Sequence, residues 1–352
     1  MKVLLVGGGT MGSVSPLIAV YEQIKKSKPK AKFLFLGTKD GPECRAVDSY
    51  DMDFRSIPAG KLRRYFSWQN LIDPFKLVAA FFKSLVIIFK FKPQVVMIAG
   101  SFVGVPVAWA AWCLRVPILI HQQDIIAGLA NKLMANTARK ITVSFEVSLK
   151  DFSPTKTILT GNPVREEFYS CDPDKGRVLF QLKDSLPVLL VVGGGTGAVA
   201  VNQVVAQALP ELLKFCQVIH ITGRGKKVDF NDEDYHQFEF LTNEMREALC
   251  AADLAVSRAG MSTLSELIIL ARATILIPIA DSHQEYNARY FQSNNAVVSV
   301  SQNSLTKEMF VSLIKEVLFD RNRKSELEAN ISQMMKVDGA KRVAELLLQI
   351  SK

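Results

Sequence analysis

The sequence predicts an α/β chain built as two doubly wound parallel sheets in succession, and three observations carry that prediction. Short apolar runs alternate with segments of helical period along the chain, the pattern of βαβ units on a parallel sheet. The alternation pauses near Gly161-Asn162-Pro163-Val164-Arg165 and a linker-like stretch at 170–175, then restarts. Each half opens with an apolar strand running into glycines: Gly7-Gly8-Gly9-Thr10-Met11-Gly12 in the first, Gly193-Gly194-Gly195-Thr196-Gly197-Ala198 in the second. A chain of 352 residues suits two domains of about 150 to 200 residues better than one.

Taken in order, the strand-type runs of the first half are 3–6, 32–36, 95–98, 117–121, 140–143 and 157–160. Those of the second are 188–192, 218–221, 238–241, 254–256, 274–277 and 296–300. The run at the N-terminus reads as a first β-strand, because the apolar region of a signal peptide would be longer and would end in a cleavage site. No stretch reaches the roughly 18 to 20 apolar residues of a spanning helix. Hydrophobic residues make up 49% of the chain, ample for two cores, and the formal net charge of +9 favours an anionic partner: nucleotide, phospholipid surface or nucleic acid. Nucleic acid is not expected, since the chain carries no helix-turn-helix, RRM-like or zinc-finger signature. The five cysteines, Cys44, Cys113, Cys171, Cys216 and Cys250, are scattered without a C-x-x-C pair, so a reduced, cytosolic chain without metal ligation or a disulfide framework is expected. Asp51-Met52-Asp53 matches a D-x-D metal pattern but has no ligand partners nearby in sequence, and no metal or cofactor is predicted.

Both glycine loops sit between a strand and a helix, where glycine lets the backbone approach a phosphate closely. Both also satisfy the G-x-G-x-x-G/A fingerprint of dinucleotide binding. That reading requires an acid at the end of the second strand, where Gly37-Thr38-Lys39 stands instead, so a nicotinamide enzyme is set aside. Between Lys61 and Lys92 the composition changes. Lys61, Arg63, Arg64, Lys76, Lys83, Lys90 and Lys92 are interleaved with Tyr65, Phe66, Trp68, Leu71, Ile72, Phe75, Phe81, Phe82, Ile87, Ile88, Phe89 and Phe91. Pro74 is expected to divide this segment into a loop and a helix of about four turns, with Lys76, Lys83 and Lys90 on one face. Part of its apolar surface must pack on the sheet; the rest, beside clustered cations, suits an anionic membrane surface.

Three polar stretches follow strands. Val256-Ser257-Arg258-Ala259-Gly260-Met261-Ser262-Thr263-Leu264-Ser265-Glu266 reads as strand, turn and helix start, where exposed N–H groups and the helix dipole favour an anion. Its hydroxyls are also ordinary N-cap candidates. Glu266, in the first turns of that helix, offers a carboxylate that suits a sugar diol. His121-Gln122-Gln123-Asp124 and Asp281-Ser282-His283-Gln284-Glu285-Tyr286-Asn287 lie at the carboxyl ends of parallel strands, where ligands bind in such sheets. His220 and His236 read as strand and surface residues.

Together these motifs resemble the MurG family, the UDP-N-acetylglucosamine transferases of glycosyltransferase family 28 that make lipid II. The resemblance spans nearly the whole chain in order. Gly8-Gly9-Thr10-Met11-Gly12-Ser13-Val14-Ser15-Pro16-Leu17 is similar to G-G-T-G-G-H-x-x-P-x-L, and Gly100-Ser101-Phe102-Val103-Gly104-Val105-Pro106 to G-G-Y-V-S-G-P. His121 to Asp124 with Gly128, Asn131 and Lys132 resembles H-E-Q-N-x-x-x-G-x-x-N-K; Gly161 to Arg165 is G-N-P-V-R unchanged. Gly193 to Ala198 with Asn202 resembles G-G-S-Q-G-A-x-x-x-N. The stretch from Ser257 to Glu266 resembles S-R-A-G-A-x-T-x-x-E, and His283-Gln284 with Asn287-Ala288 resembles H-Q-x-x-N-A.

The resemblance implies a GT-B architecture, two Rossmann-like domains facing a cleft. Residues 1–164 would be the acceptor and membrane-facing domain, 165–338 the UDP-sugar domain, with a final helix at 339–352 packing back on the first. It implies that Glu266 binds the ribose diol, that Met261, Ser262, Thr263, Leu264, Ser265 and Gly195 meet the pyrophosphate with Arg165 nearby, and that Arg258 belongs to the same site. Thr242 would lie near the uracil, His283 and Gln284 at the sugar hydroxyls, and Thr10, Met11 and Gly12 at the substrate loop. Asp124 takes the place of an amide that touches the sugar. The implied partners are UDP-N-acetylglucosamine, an undecaprenyl-linked lipid acceptor, an anionic membrane surface met through 61–92 on the cytoplasmic face of a bacterial membrane, and cell-wall synthesis proteins.

Departures from the family pattern cluster, most of them on the acceptor side. Ser13 stands where the family has histidine, and Met11 for glycine adds bulk where a diphosphate should approach. Gln122 replaces Glu, Asp124 replaces Asn, and Gly195-Thr196 replaces Ser-Gln. A serine hydroxyl cannot stand in for an imidazole as base near neutral pH. The candidate catalytic residues are therefore Asp124, Ser13 and Glu266, with three outcomes open: Asp124 is the base, the acceptor differs, or catalysis is weak. The alternatives to a lipid II-forming transferase are a transferase acting on another lipid such as diacylglycerol, and a non-catalytic relative that binds a UDP-sugar.

Overall fold

The computed structural model describes residues 1–58, 69–194, 197–242 and 244–351, and for residues 42 and 69–73 the backbone alone. Strands buried on both faces of a parallel sheet must be almost continuously apolar, and the longest runs of the sequence are the central strands. The first sheet contains β1 (Lys2–Val6), β2 (Lys32–Gly37), β3 (Asp53–Ser56), β4 (Val95–Ile98), β5 (Ile118–Gln122), β6 (Lys140–Val143) and β7 (Thr157–Leu159). Its seven strands run in the order β3-β2-β1-β4-β5-β6-β7, parallel throughout. The second contains β8 (Val188–Val192), β9 (Gln217–Ile221), β10 (Tyr235–Phe238), β11 (Leu254–Ser257), β12 (Thr274–Leu276) and β13 (Val298–Ser299). Its six strands run β10-β9-β8-β11-β12-β13, again parallel.

In each sheet the order reverses once, between β1 and β4 and between β8 and β11. Ligands of doubly wound sheets bind outside the carboxyl ends of the strands at such a switch point. Both glycine loops, which follow β1 and β8, and the stretch that follows β11 therefore lie where the fold places a site.

The chain divides into two units, Met1–Arg165 with Lys336–Lys352, and Glu166–Met335. Leu4, Val6, Val96, Ile98 and Ile120 build one side of the first core; Val3, Leu5, Met97 and Leu119 build the other. The terminal helix Gly339–Ile350 lays Val343, Ala344 and Leu347 on that second side. In the second unit Leu189, Val191, Leu254, Val256 and Ile275 pack under Val205, Leu209 and Phe310.

Several expectations need correction. β3 was not anticipated, because Asp53-Phe54-Arg55-Ser56 is a short, half-polar edge strand. β10 spans Tyr235–Phe238, not 238–241; the ladder pairs Tyr235 with Val218 and Phe238 with Ile221, while the apolar residues Phe240 and Leu241 lie beyond it. Pro74 lies inside one helix, Gln69–Phe91, instead of dividing loop from helix. The stretch at 170–175 is no simple linker, since a 3-10 turn, Glu166–Tyr169, and a helix, Pro173–Leu179, occupy that region. Cys171 and Cys250, 79 residues apart, come together as a pair with Cα atoms 5.6 Å apart, a proximity the scattered cysteines did not suggest. No spacing pattern announces that pair: it forms because the segment after the Glu166–Tyr169 turn passes the end of the helix Met245–Ala251.

Candidate active site

After β1 the backbone turns at Gly9, whose φ of 84° is the left-handed conformation that glycine adopts without strain. A single 3-10 turn, Met11–Ser13, then leads to the helix Ser15–Ser27. Thr10, Met11 and Gly12 line its outer side, and Ser13 is buried. The Ser13 hydroxyl accepts from the Gly8 N–H at 2.9 Å and lies 3.2 Å from Gly8 O and 3.3 Å from Thr10 O. Ser13 therefore acts as a brace within the loop. Met11 is half-buried and packs against the apolar cluster that includes Val14, Leu17 and Ile18. Ser101, in the loop after β4, has a φ of 70° and donates to Gly8 O at 2.8 Å, tying together the loops on both sides of the switch point.

At the end of β5, His121 is fully buried. Its Nδ1 lies 2.9 Å from Thr142 Oγ1 and its Nε2 2.8 Å from Asn162 Oδ1. Burial lowers its pKa to about 4, which keeps the imidazole neutral and structural. Gln122 donates from Nε2 to Asp124 O at 2.8 Å and Ile126 O at 3.1 Å, and accepts from Asn131 Nδ2 at 2.6 Å. These bonds hold the turn that carries Asp124, which stays half-exposed. Asp124 follows β5, two strands from β1, roughly 10 Å across the sheet end from the first glycine loop. Arg165 closes the first unit.

In the second unit, the helix Met261–Ile269 starts at Gly260 with no side-chain cap. The hydroxyls of Ser262 and Thr263 lie past the cap position, so the N-cap reading is corrected, and the first N–H groups keep the positive end of the helix for a ligand. Met261, Leu264 and Ser265 are buried, Ser262 and Thr263 half-exposed, and Glu266 is buried in the second turn. The Arg258 guanidinium is buried and donates to Ile277 O at 2.9 Å, Pro278 O at 3.2 Å and Gln302 Oε1 at 2.6 Å, pinning the end of β12 behind the helix start.

The loop after β12 ends in Ser282, whose side chain caps the helix His283–Ser293. Asn287 of that helix donates to Ala259 O at 3.0 Å, and a Cβ at Gly260 would lie 3.8 Å from Gln284 Nε2. Gln284 is thus brought against the uncapped helix start, with exposed His283 beside it. Thr242 is exposed, beyond β10 and three strand positions from β11, its N–H 3.3 Å from Glu244 Oε2.

Asn202, read from the sequence as part of the second glycine motif, braces the second loop, and sequence reasoning missed Lys226 and Arg224 beside it. Asn202 donates to Thr222 O at 2.8 Å and lies 3.1 Å from His220 Nε2, while Lys226 Nζ reaches Gly197 O at 3.3 Å. The Arg224 guanidinium stands 5.5 Å over the Phe240 ring. His220 is a buried strand residue, 2.9 Å from the Tyr235 hydroxyl, with its pKa lowered to about 4 by burial. Gly195 and Thr196 lie outside the described residues, as do Lys61, Arg63, Arg64, Tyr65, Phe66 and Trp68 and the side chains of Leu71 and Ile72.

The helix Gln69–Phe91 packs Ala80, Ser84, Ile87 and Ile88 inward against the neighbouring helix Gly104–Cys113. Its outer face carries a stripe of Phe75 (76% exposed), Val78, Phe82 (59%), Val86 and Phe89 (68%), spaced by three and four residues as one helix face requires. Lys83 and Lys90, each next to one of these phenylalanines, are exposed. An apolar strip of that extent marks an interaction surface. Among the described residues, no helix is long and apolar enough to cross a membrane.

Residues 3–143 match the glycosyltransferase family 28 N-terminal domain, and residues 188–343 its C-terminal domain. A protein of Clostridium tetani named UDP-N-acetylglucosamine--N-acetylmuramyl-(pentapeptide) pyrophosphoryl-undecaprenol N-acetylglucosamine transferase is 35% identical over 328 residues, covering 92% of this chain and 91% of its own. A Legionella pneumophila protein of the same name is 35% identical over 346 residues, covering 96% and 94%. The crystal structure of Acinetobacter baumannii MurG superposes with a TM-score of 0.73 over 99% of both chains at 23% identity, a likeness of GT-B fold. With both family domains matched in order and relatives alike over nearly their full length, the chain belongs to the MurG family of UDP-N-acetylglucosamine transferases within glycosyltransferase family 28.

Proposed function

We propose that the chain moves N-acetylglucosamine from UDP-N-acetylglucosamine, with inversion, to the 4-hydroxyl of undecaprenyl-pyrophosphoryl-N-acetylmuramyl-pentapeptide, converting lipid I to lipid II. The observation that carries this reading is the near full-length 35% identity to relatives named for that reaction. The two switch points give it a physical basis.

On the donor side, the uncapped start of the helix Met261–Ile269 takes the pyrophosphate on the N–H groups of Met261, Ser262 and Thr263. Leu264 and Ser265 complete its first turns. Glu266 accepts hydrogen bonds from the ribose diol. Thr242, three strands away, meets the uracil end of the extended nucleotide, and His283 and Gln284 meet the sugar hydroxyls. When the glycosidic bond to UDP breaks, negative charge grows on the leaving phosphate, and donors already aimed there lower the barrier without reorganising.

On the acceptor side, the turn at Thr10, Met11 and Gly12 receives the lipid diphosphate. Asp124 is the base: it takes the proton of the 4-hydroxyl as oxygen bonds to the anomeric carbon, and its charge also favours the positive character that builds on the sugar ring. A serine hydroxyl cannot hold the proton near neutral pH, which makes the Asp124 carboxylate the proton acceptor of this reading. The aromatic stripe and lysines of the helix Gln69–Phe91 hold the first unit on the anionic cytoplasmic face of a bacterial membrane, where such an acceptor resides.

Purified chain incubated with UDP-N-acetylglucosamine and a lipid I analogue tests the reading through UDP release. Release that depends on this acceptor, and is absent with diacylglycerol, is expected. Release with diacylglycerol alone would assign the other lipid, and UDP-sugar binding without turnover on either acceptor would make the chain a non-catalytic relative.

A further inference from the structure

The carboxylate of Glu43 is fully buried at the carboxyl end of β2, where the sequence offered no acid on the strand itself. It accepts from the Gly9 N–H at 3.1 Å, the Thr38 N–H at 2.6 Å and the Thr38 hydroxyl at 2.5 Å. The backbone is shaped to admit it: a Cβ at Gly8 or Gly41 would collide with its oxygens, and one at Gly37 would lie 2.7 Å from its Cγ. A carboxylate withdrawn from water is costly unless its oxygens are satisfied, and these donors satisfy them by charge-assisted bonds. With both oxygens engaged by the loops, Glu43 does not face outward as a ribose ligand would.

The consequence falls on the first glycine loop. Gly7 donates to Leu36 O, Gly8 to the Ser13 hydroxyl and Gly9 to Glu43, so the N–H groups of all three glycines are committed within the protein. Those of Thr10, Met11 and Gly12 come next along the turn. We propose that Glu43 is a positioning residue that holds this loop in the form that receives the acceptor's diphosphate and directs it to the backbone from Thr10 to Gly12. The proposal rests on the reading that this loop belongs to the acceptor.

The test compares wild type, Glu43→Gln and Thr38→Val, as full-length protein with a lipid I analogue. Glutamine keeps the shape but sets an amide donor against one of the N–H groups that the carboxylate accepts. The acceptor KM of Glu43→Gln is expected to rise about tenfold or more, as when a binding group is displaced by a fraction of an ångström. The UDP-N-acetylglucosamine Kd, measured by calorimetry without acceptor, should stay within about twofold of wild type, because the donor loops lie in the other unit. Thr38→Val, which keeps the charge and removes one donor, should give a smaller rise in the same parameter. A lower melting temperature with an unchanged acceptor KM would overturn the proposal and leave Glu43 a structural strut. If Glu43→Gln does not fold, an unchanged acceptor KM in Thr38→Val overturns it instead. Wild type that shows no acceptor-dependent UDP release at all would refute the acceptor reading, and this proposal with it.

Discussion

The two switch points share a backbone plan and differ in their wiring. Each follows a buried apolar strand, β1 or β8, and turns on a left-handed glycine, Gly9 with φ 84° or Gly194 with φ 83°. In the first unit the loop is fastened by an acid and two hydroxyls: Glu43 on Gly9, Ser13 and Ser101 on Gly8. In the second, the fastening comes from the next strand, with Asn202 bridging Thr222 and His220 and with Lys226 on Gly197. The second unit also has an uncapped helix start supported from behind by Arg258. The lesson is that a glycine loop alone does not say what it binds. The second unit offers a helix dipole and a carboxylate; the first offers a short braced turn with its nearest N–H groups already used.

The largest expected effect lies on the donor side. Glu266→Ala removes hydrogen bonds from a ribose diol to a charged, buried acceptor, so kcat/KM for UDP-N-acetylglucosamine should fall about 10²- to 10³-fold, at about 1.5–3 kcal/mol per charged hydrogen bond. Steady-state kinetics with varied donor checks this, and a loss confined to the acceptor KM would reverse the division of labour.

A second effect should be common to both units. His121 and His220 are buried and neutral, each with its pKa near 4 against an ordinary 6.5. Above pH 6.5 they contribute nothing. As pH falls from 6.5 to 4 the unfolded chain binds protons that the folded chain refuses, so stability should drop by up to about 3 kcal/mol per histidine and level off below 4. Urea midpoints across this range measure it, and His121→Gln should remove about half of the slope.

Phe82→Ser tests whether the exposed aromatic stripe of the first unit meets a membrane. Losing one buried phenylalanine from a lipid contact costs about 2 kcal/mol, so binding to anionic vesicles in a co-sedimentation assay should weaken roughly 10- to 50-fold. Turnover of a short-chain, water-soluble acceptor should be retained; loss of both would make the stripe part of the active site. The smallest effect is expected from Ser13→Ala, which removes a loop brace worth about 1 kcal/mol. The acceptor KM should rise several-fold with kcat largely kept, whereas loss of kcat would place Ser13 in the chemistry.

The continuous apolar runs of β1, β8 and β11 made both sheets and both switch points legible, because strands buried on two faces leave a dense signal. β3 left little trace, its edge position allowing half-polar residues. The helix start at Gly260 was legible from the strand–turn–helix pattern, but the destination of Arg258 was not: its partners, Ile277, Pro278 and Gln302, come from another strand and a later turn. Glu43 escaped notice because its contact with Gly9 spans 34 residues and its helix begins after the strand where an acid would be sought. The direction of the Met11 side chain likewise depends on packing that no local pattern specifies.

The central claim is that one unit holds the donor while Asp124 in the other activates the acceptor, and acceptor-dependent UDP release from wild type, Asp124→Asn and Glu266→Ala tests it most directly. The account predicts release by wild type, loss of kcat with intact UDP-N-acetylglucosamine binding in Asp124→Asn, and loss of donor binding in Glu266→Ala. Wild-type turnover matched by Asp124→Asn would contradict the assignment of the base.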